Sequence, residues 1–217
     1  LMDTHSPYVP PATYREQVDA PDVGDGRLWN LNDRLHTDPD SLTDEEVTIV
    51  SDMYDASLRH MDDEIARLID GLKERGLWSD SKAAFTSDHG EEFREHGGLT
   101  HPVEPYEEGA HVPLLFRLGT ENLTTVESVT STIDIGPTLL DAAVADAEIP
   151  ERFHGRSLVE VLRGEEAISG DRNVFIQNAN RGGRVVTGVL RITGCRGTES
   201  KVIPSLDEQV ETELFHL

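Results

Sequence analysis

Between residues 43 and 76, apolar side chains recur at Val47, Val50, Tyr54, Leu58, Met61, Ile65, Leu68 and Leu72. Every interval is three or four residues, the repeat of one helix face, and the pattern predicts a helix that packs on a core. Thr43 followed by Glu46 has the spacing of a capping box, in which a hydroxyl and a carboxylate each satisfy a backbone amide at the helix start. Asp44 and Glu45 complement the positive end of the helix dipole, and Gly76 predicts the stop. A helix from Asp44 to Arg75 would run nearly 50 Å at about 1.5 Å per residue unless it kinks.

Lys82–Ser87 is short and weakly polar and predicts a buried strand. Helix, short loop and strand make half of a parallel crossover unit. Val112–Leu118 reads as the next strand, with Pro113 tolerated at its start. Val126–Ile133 is β-rich, Asp134–Val144 reads as a helix with Pro137 in its first turn, and Ser157–Arg163 reads as a short helix closed by Gly164. At the amino end, Pro7, Pro10 and Pro11 make residues 1–13 a loop leaving a strand end. Residues 14–42 are polar, with Gly24, Gly26 and Pro39, and read as a surface excursion with room for a short helix. The chain changes character near residue 150. Beyond the linker Pro150–Gly155, the stretches Asn173–Gln177, Arg184–Thr193 and Lys201–Ile203 alternate and are separated by glycines, which predicts a small antiparallel sheet. The expected class is therefore α/β, with a mixed or parallel sheet flanked by helices over residues 1–149. An antiparallel subdomain is expected over 150–217.

Candidate chemistry gathers where the predicted strand Lys82–Ser87 runs into Asp88, His89 and Gly90. In open α/β sheets, ligands bind beyond the carboxyl ends of the strands. Asp88 and His89 are then either metal ligands or ordinary turn residues. The carboxylate is a hard oxygen donor suited to Ca²⁺, Mg²⁺ or Mn²⁺, while the imidazole fits Mn²⁺ or Zn²⁺ better. The segment after Gly90 holds Glu91, Glu92, Glu95, His96, His101, Glu104, Glu107, Glu108 and His111, too polar for a core and rich in metal-capable groups. His5 sits in the proline-rich loop, at the expected end of another strand. A lone loop histidine is ordinarily just a solvated side chain.

Composition narrows the function classes. The 217 residues include 42 acids against 19 bases, a formal charge of −23. Such a surface excludes a nucleic-acid footprint, which is basic. It repels itself at low salt. With lysine confined to Lys73, Lys82 and Lys201, it points to a salt-rich cytoplasm, where cations screen the repulsion. Cys195 is the single cysteine, so no internal disulfide forms. No uninterrupted apolar run of about 18 residues occurs, so no membrane span is expected. No signal peptide is visible either.

Taken in order, the motifs resemble the sulfatase family of the alkaline phosphatase superfamily. They are MDTHSPYVPP at Met2–Pro11, SDHGE at Ser87–Glu91, Glu95-His96-Gly97, Tyr106-Glu107-Glu108, Val112-Pro113-Leu114, IDIGPTLL at Ile133–Leu140, GRSL at Gly155–Leu158 and ELFHL at Glu213–Leu217. The resemblance implies an alkaline-phosphatase-like fold and a metal-dependent hydrolase of small-molecule sulfate esters. Asp88 and His89 match the family's second pair of metal ligands, with calcium the usual ion. Many members carry Asn where His89 stands, which leaves Mn²⁺ or Mg²⁺ open. His5 matches the histidine that contacts the ester or its leaving oxygen, as proton donor or oxyanion contact. His101 stands where many sulfatases carry a lysine, and a histidine there is fully charged only if its pKa is raised. That departure makes phosphodiesters or phosphonates plausible alternative substrates. His96 and His111 match packing positions.

Two family features have no counterpart in these residues. The nucleophile lies in a C/S-x-P-x-R segment, whereas Cys195 sits in Gly194-Cys195-Arg196-Gly197 and is expected to be inert. The first pair of metal-binding acids is also missing. The chain thus resembles the carboxyl-terminal half of a sulfatase, or a non-catalytic acidic remnant of one. It is expected to bind metal weakly and to turn over nothing alone, and the missing amino-terminal half is its expected partner.

Overall fold

The capping box at Thr43 forms as the spacing requires. The Glu46 amide donates to the Thr43 hydroxyl at 3.2 Å, and the Thr43 amide donates to the Glu46 carboxylate at 3.0 Å. In the computed structural model of the chain, which describes residues 4–102, 106–119, 125–126, 129–144, 148–165, 172–179, 185–192, 199–203 and 213–216, this cap starts a helix that continues unbroken over Asp44–Glu74. The described residues divide into two units, the first Leu1–Ser79 with Glu91–His101, the second Asp80–Gly90 with Pro102–Leu217. The compositional change near residue 150 falls inside the second.

The first unit is built on helices α1 (Ala12–Gln17), α2 (Asp25–Thr37) and α3 (Asp44–Glu74), followed by the short hairpin β1 (Glu92–Phe93) and β2 (Leu99–Thr100). The core joins Tyr8, Leu28, Leu31, Leu35 and Leu42 to Val47, Val50 and Met53 of α3. Burial on α3 ends at Met61. The predicted stripe is already open at Leu58, 43% exposed, and opens again beyond Met61 at Leu68, 57% exposed. The 13-residue helix α2 is longer than its polar sequence suggested, and Leu28, Leu31 and Leu35 form its apolar stripe. Between them Asn32 holds a non-helical strand of chain. The Tyr8 amide donates to Asn32 Oδ1 at 2.7 Å, and Asn32 Nδ2 donates to the Tyr8 carbonyl at 3.3 Å and to the Leu28 carbonyl at 2.9 Å. Arg34, one turn away from Leu31, reaches both oxygens of Glu46 at 2.9 and 3.1 Å.

The second unit contains β3 (Ala83–Thr86), α4 (Glu107–Ala110), β4 (Leu114–Arg117), α5 (Ile135–Ala143) and α6 (Val159–Leu162). It also holds a four-stranded sheet of β5 (Arg172–Ala179), β6 (Val185–Ile192), β7 (Glu199–Ile203) and β8 (Glu213–His216), in that order and antiparallel throughout. This is the small sheet that alternation predicted. Two expectations change. Strand β3 pairs with β4 antiparallel, and among the described residues no parallel pairing occurs. The strand is also only half-buried: α5 packs against β3, yet Phe85 and its cross-strand partner Leu115 are 44% and 57% exposed. The end of the β-rich stretch 126–133 enters a 3₁₀ turn, Thr132–Asp134.

That turn is fastened by Asp134, which is fully buried. Its carboxylate accepts from the amides of Ser131 and Arg156, both at 2.9 Å, while the Thr138 hydroxyl donates to its carbonyl and accepts from the Leu158 amide. A side chain at Gly155 would collide with the Ile133 carbonyl, so this close approach requires glycine. The IDIGPTLL and GRSL motifs are thereby one structural latch. Cys195 lies outside the described residues.

Two outcomes follow from these contacts. The hydrogen bonds from Arg34, then the Thr43 amide, hold the Glu46 carboxyl down to about 2. A depressed carboxyl contributes stability that is full above its unfolded value and fades as pH falls through the folded value. Thermal melts of Glu46→Gln should therefore lie below wild type at pH 7, and the gap should close between about pH 4.5 and pH 2. Asn32→Ala strands the buried amide and carbonyl of Tyr8. Urea unfolding should show a loss of about 2–4 kcal/mol, from two buried groups left without partners.

Candidate active site

The loop that carries His5 is tied down from several directions. Tyr8, wholly buried, donates its hydroxyl to Glu91 Oε2 at 2.5 Å. Burial, and then the Glu91 carboxylate, push its phenol far above the usual range. Tyr8 also packs edge-on to Tyr54 with ring centroids 5.6 Å apart. Two residues before it, the buried Ser6 hydroxyl meets His36 Nε2 at 2.7 Å. Asn32 and His36 are one turn apart on α2, so one helix face grips Ser6 and Tyr8 together.

His5 itself remains exposed. Its Nδ1 lies 2.6 Å from the Ser6 carbonyl oxygen. A carbonyl only accepts, so Nδ1 carries the proton and the neutral ring keeps its lone pair at Nε2. The His101 ring stands edge-on to His5, with centroids 5.3 Å apart and planes at 73°. His101 follows directly on Thr100, whose φ of +69° lies in the left-handed region. A β-branched residue is strained there. The hairpin that ends at Thr100 is set by Arg94, also at positive φ, which donates to Asp44 Oδ1 at 2.8 Å and to the Leu42 carbonyl at 2.7 Å. Inside its turn the buried Glu92 carboxylate accepts from the amides of His96 and Gly98, at 3.1 and 2.7 Å.

Asp88 and His89 sit at the carboxyl end of β3, as predicted, in the second unit. Asp88 is 89% exposed at the side chain and His89 37%. His89 Nδ1 lies 2.7 Å from the Gly90 carbonyl oxygen, which again puts the ring proton on Nδ1. His89 Nε2 lies 3.9 Å from Asp88 Oδ2. Burial alone would raise the Asp88 carboxyl, but amide hydrogen bonds, His89 and Ser87 outweigh it and hold it below its ordinary value. An ionised carboxylate beside an imidazole whose other nitrogen is tied to a carbonyl is the donor arrangement of metal-binding histidines. Carboxylate and imidazole are both donor types that a divalent cation accepts. Gly90 is required where the loop turns: its amide donates to the Gly109 carbonyl at 2.9 Å, and a Cβ would overlap the Glu108 carbonyl oxygen.

Thus His5 meets His101 within the first unit, and Asp88 adjoins His89 within the second. His96 and His111 are both exposed, and His111 Nδ1 lies 3.3 Å from Glu107. Sequence reasoning missed Asn32, His36 and Tyr8. Three leucines spaced along α2 were the available signal.

The geometry can be set beside known proteins. The sulfatase family model matches residues 1–145. Arylsulfatase K of Bos taurus is 34% identical over 130 residues, which cover 58% of this chain and 24% of that protein. The chain therefore spans about a quarter of the length of the curated relatives it matches first. Among solved structures, a phosphonate monoester hydrolase from Silicibacter pomeroyi superposes with a TM-score of 0.65 at 24% identity, over 82% of this chain and 37% of that one. A protein solved in complex with its substrate D-glucosamine-2-N,6-O-disulfate gives 0.59 at 24% identity, over 94% and 38%. These structures share the α/β fold. The histidine loop, the strand ending in Asp88 and the latch from Asp134 to Thr138 all fall within the matched span, and the chain belongs to the sulfatase family.

Proposed function

We propose that these residues serve the metal-dependent hydrolysis of small-molecule sulfate esters, His5 and His101 from the first unit and Asp88 and His89 from the second. The observation that best supports it is the edge-on pair of His5 and His101, 5.3 Å apart on a loop and a hairpin end distant in sequence. An ester placed against the rim of this ring contact would have its oxygens within reach of both rings. His5 and His101 would contact the ester and its leaving oxygen. Because Nδ1 of His5 already donates to Ser6, donation from Nε2 needs a second proton on the ring.

Asp88 and His89 would hold the cation, Ca²⁺ by family habit and otherwise Mn²⁺ or Mg²⁺. When bound, it would stabilise negative charge on the sulfate oxygens. Two protein ligands fall short of the six to eight oxygens Ca²⁺ takes. The nucleophile segment C/S-x-P-x-R is also absent from these 217 residues. We therefore propose that turnover requires the remainder of a sulfatase domain, whose strands would complete a mixed sheet with β3 and β4. In this reading residues 1–149 belong to the catalytic domain and 150–217 to a carboxyl-terminal subdomain. The charge of −23 suits a salt-rich cytoplasm.

A second reading is favoured by one specific feature. Histidine at position 101 replaces a fixed lysine charge, and the fold neighbours include phosphonate monoester hydrolases. The substrate would then be a phosphonate or phosphodiester.

The deciding experiment measures 4-nitrophenyl sulfate and phenyl phosphonate ester hydrolysis by the 217-residue chain with Ca²⁺ or Mn²⁺. It expects no turnover above His5→Ala. Clear His5-dependent turnover would refute the need for a second half and would show which ester is preferred. In parallel, calorimetric titration with Mn²⁺ should show weak binding that Asp88→Asn and His89→Ala each abolish. Binding unchanged in both variants removes them as ligands.

A further inference from the structure

Tyr8 carries a hydroxyl into a core position that phenylalanine could fill without burying a polar atom. The residue is wholly buried among leucines. Asn32 satisfies its backbone, and its ring lies against Tyr54 and Phe93 at centroid distances of 5.6 and 6.1 Å. None of these contacts uses the phenol oxygen. Taking a hydroxyl out of water is unfavourable unless it finds a partner. The partner is the Glu91 carboxylate, 2.5 Å away and 83 residues further along the chain. That separation is usual for a hydroxyl bonded to a charged oxygen. Burial, and then the carboxylate itself, keep the phenol protonated, so the hydroxyl serves as a donor.

The place where this bond lands gives it a use. Glu91 directly precedes β1, and the hairpin pairs Glu92 with Thr100. Glu91 and His101 therefore follow one step beyond that pair, on opposite strands at the open end of the hairpin. At the other end of the bond, Tyr8 stands three residues after His5 on a loop stiffened by Pro7, Pro10 and Pro11. The hydroxyl thus ties the loop that carries His5 to the hairpin end that carries His101. These are the two rings that meet edge-on at 5.3 Å. Arg94 fastens the same hairpin nearer its turn, to Asp44 and to the Leu42 carbonyl. Losing the bond at Glu91 would therefore release the open end more than the rest.

We propose that the Tyr8 hydroxyl is a positioning group, which through Glu91 sets the His101 ring against His5. The aromatic ring of the same tyrosine is an ordinary core element. For its bearing on chemistry the inference rests on the reading that His5 and His101 contact an ester. It adds a residue that aims both imidazoles without touching substrate.

The test compares NOE cross-peaks between the His5 and His101 ring protons in the full 217-residue chain. The wild-type chain should show the cross-peak, and its absence there overturns the proposal. Tyr8→Phe keeps the ring and the bonds to Asn32, so this variant should fold with the cross-peak lost. Its His5 ring should still report a proton on Nδ1 in ¹H–¹⁵N spectra, because the Ser6 carbonyl is untouched. Tyr54→Phe removes a hydroxyl from the same aromatic cluster and should leave the cross-peak in place. Glu91→Gln keeps an oxygen for the Tyr8 hydroxyl and should retain the cross-peak, whereas Glu91→Ala should lose it. That pair decides alone if Tyr8→Phe fails to fold or loses the Nδ1 signature. The proposal is overturned if a folded Tyr8→Phe keeps the cross-peak, or if the two Glu91 variants behave alike. Loss of the cross-peak in Tyr54→Phe also overturns it, since the effect would then belong to packing in general. Inorganic sulfate tests the ester reading separately and should shift both rings of the wild-type chain. If it shifts neither, His5 and His101 are not ester contacts, while the alignment by Tyr8 still stands or falls on the cross-peak.

Discussion

A segment without helix or strand can enter a core only if something satisfies its backbone. Tyr8 meets that constraint in the first unit. It is wholly buried among leucines, on a proline-punctuated loop with no ladder to join. Asn32 supplies both missing partners, accepting from the Tyr8 amide and donating to its carbonyl. An unpaired buried amide costs about 1–3 kcal/mol, so the loop and helix α2 depend on each other. The position of His5, three residues earlier, inherits that constraint.

The two histidines at the candidate site share one device. In His5 and in His89 the Nδ1 proton is committed to a nearby backbone carbonyl, Ser6 in one case and Gly90 in the other. A backbone carbonyl only accepts, so it favours the tautomer with the proton on Nδ1, and each neutral ring keeps its lone pair at Nε2. On the proposed function, that nitrogen would meet a cation in His89 and, once the ring gains a second proton, an ester oxygen in His5.

Much of this was legible in the sequence where local signals agree with burial. Thr43 and Glu46 marked the start of α3 because a capping box needs nothing beyond four residues. Asp88 and His89 stood at a strand end because a glycine must follow where the loop passes α4. Glycines likewise marked the strands of the last sheet. Other features depend on contacts distant in sequence. Helix α2 was hidden because only Leu28, Leu31 and Leu35 face inward and the rest is polar. The role of Asn32 could not be read, since a buried asparagine looks like any other until its partner is known. The stripe on α3 was correct in period but overlong in burial, because periodicity says which face is apolar and not how far it is covered. The antiparallel pairing of β3 could not be read for the same reason: its partner β4 lies beyond α4 in the chain.

Thr100 has a wider meaning for how this protein can be improved. Its left-handed backbone would suit glycine, and Gly97 and Gly98 stand close by in the same hairpin. Relieving such strain is a standard route to a sturdier protein, worth about 1 kcal/mol. Here the same substitution would release the backbone that aims His101 at His5. Engineers who screen this hairpin by melting temperature alone would thus be selecting for a protein that outlasts its parent while losing the aim of an imidazole. Should His101 contact the ester as proposed, resistance to heat and fitness for chemistry would pull in opposite directions at a single residue.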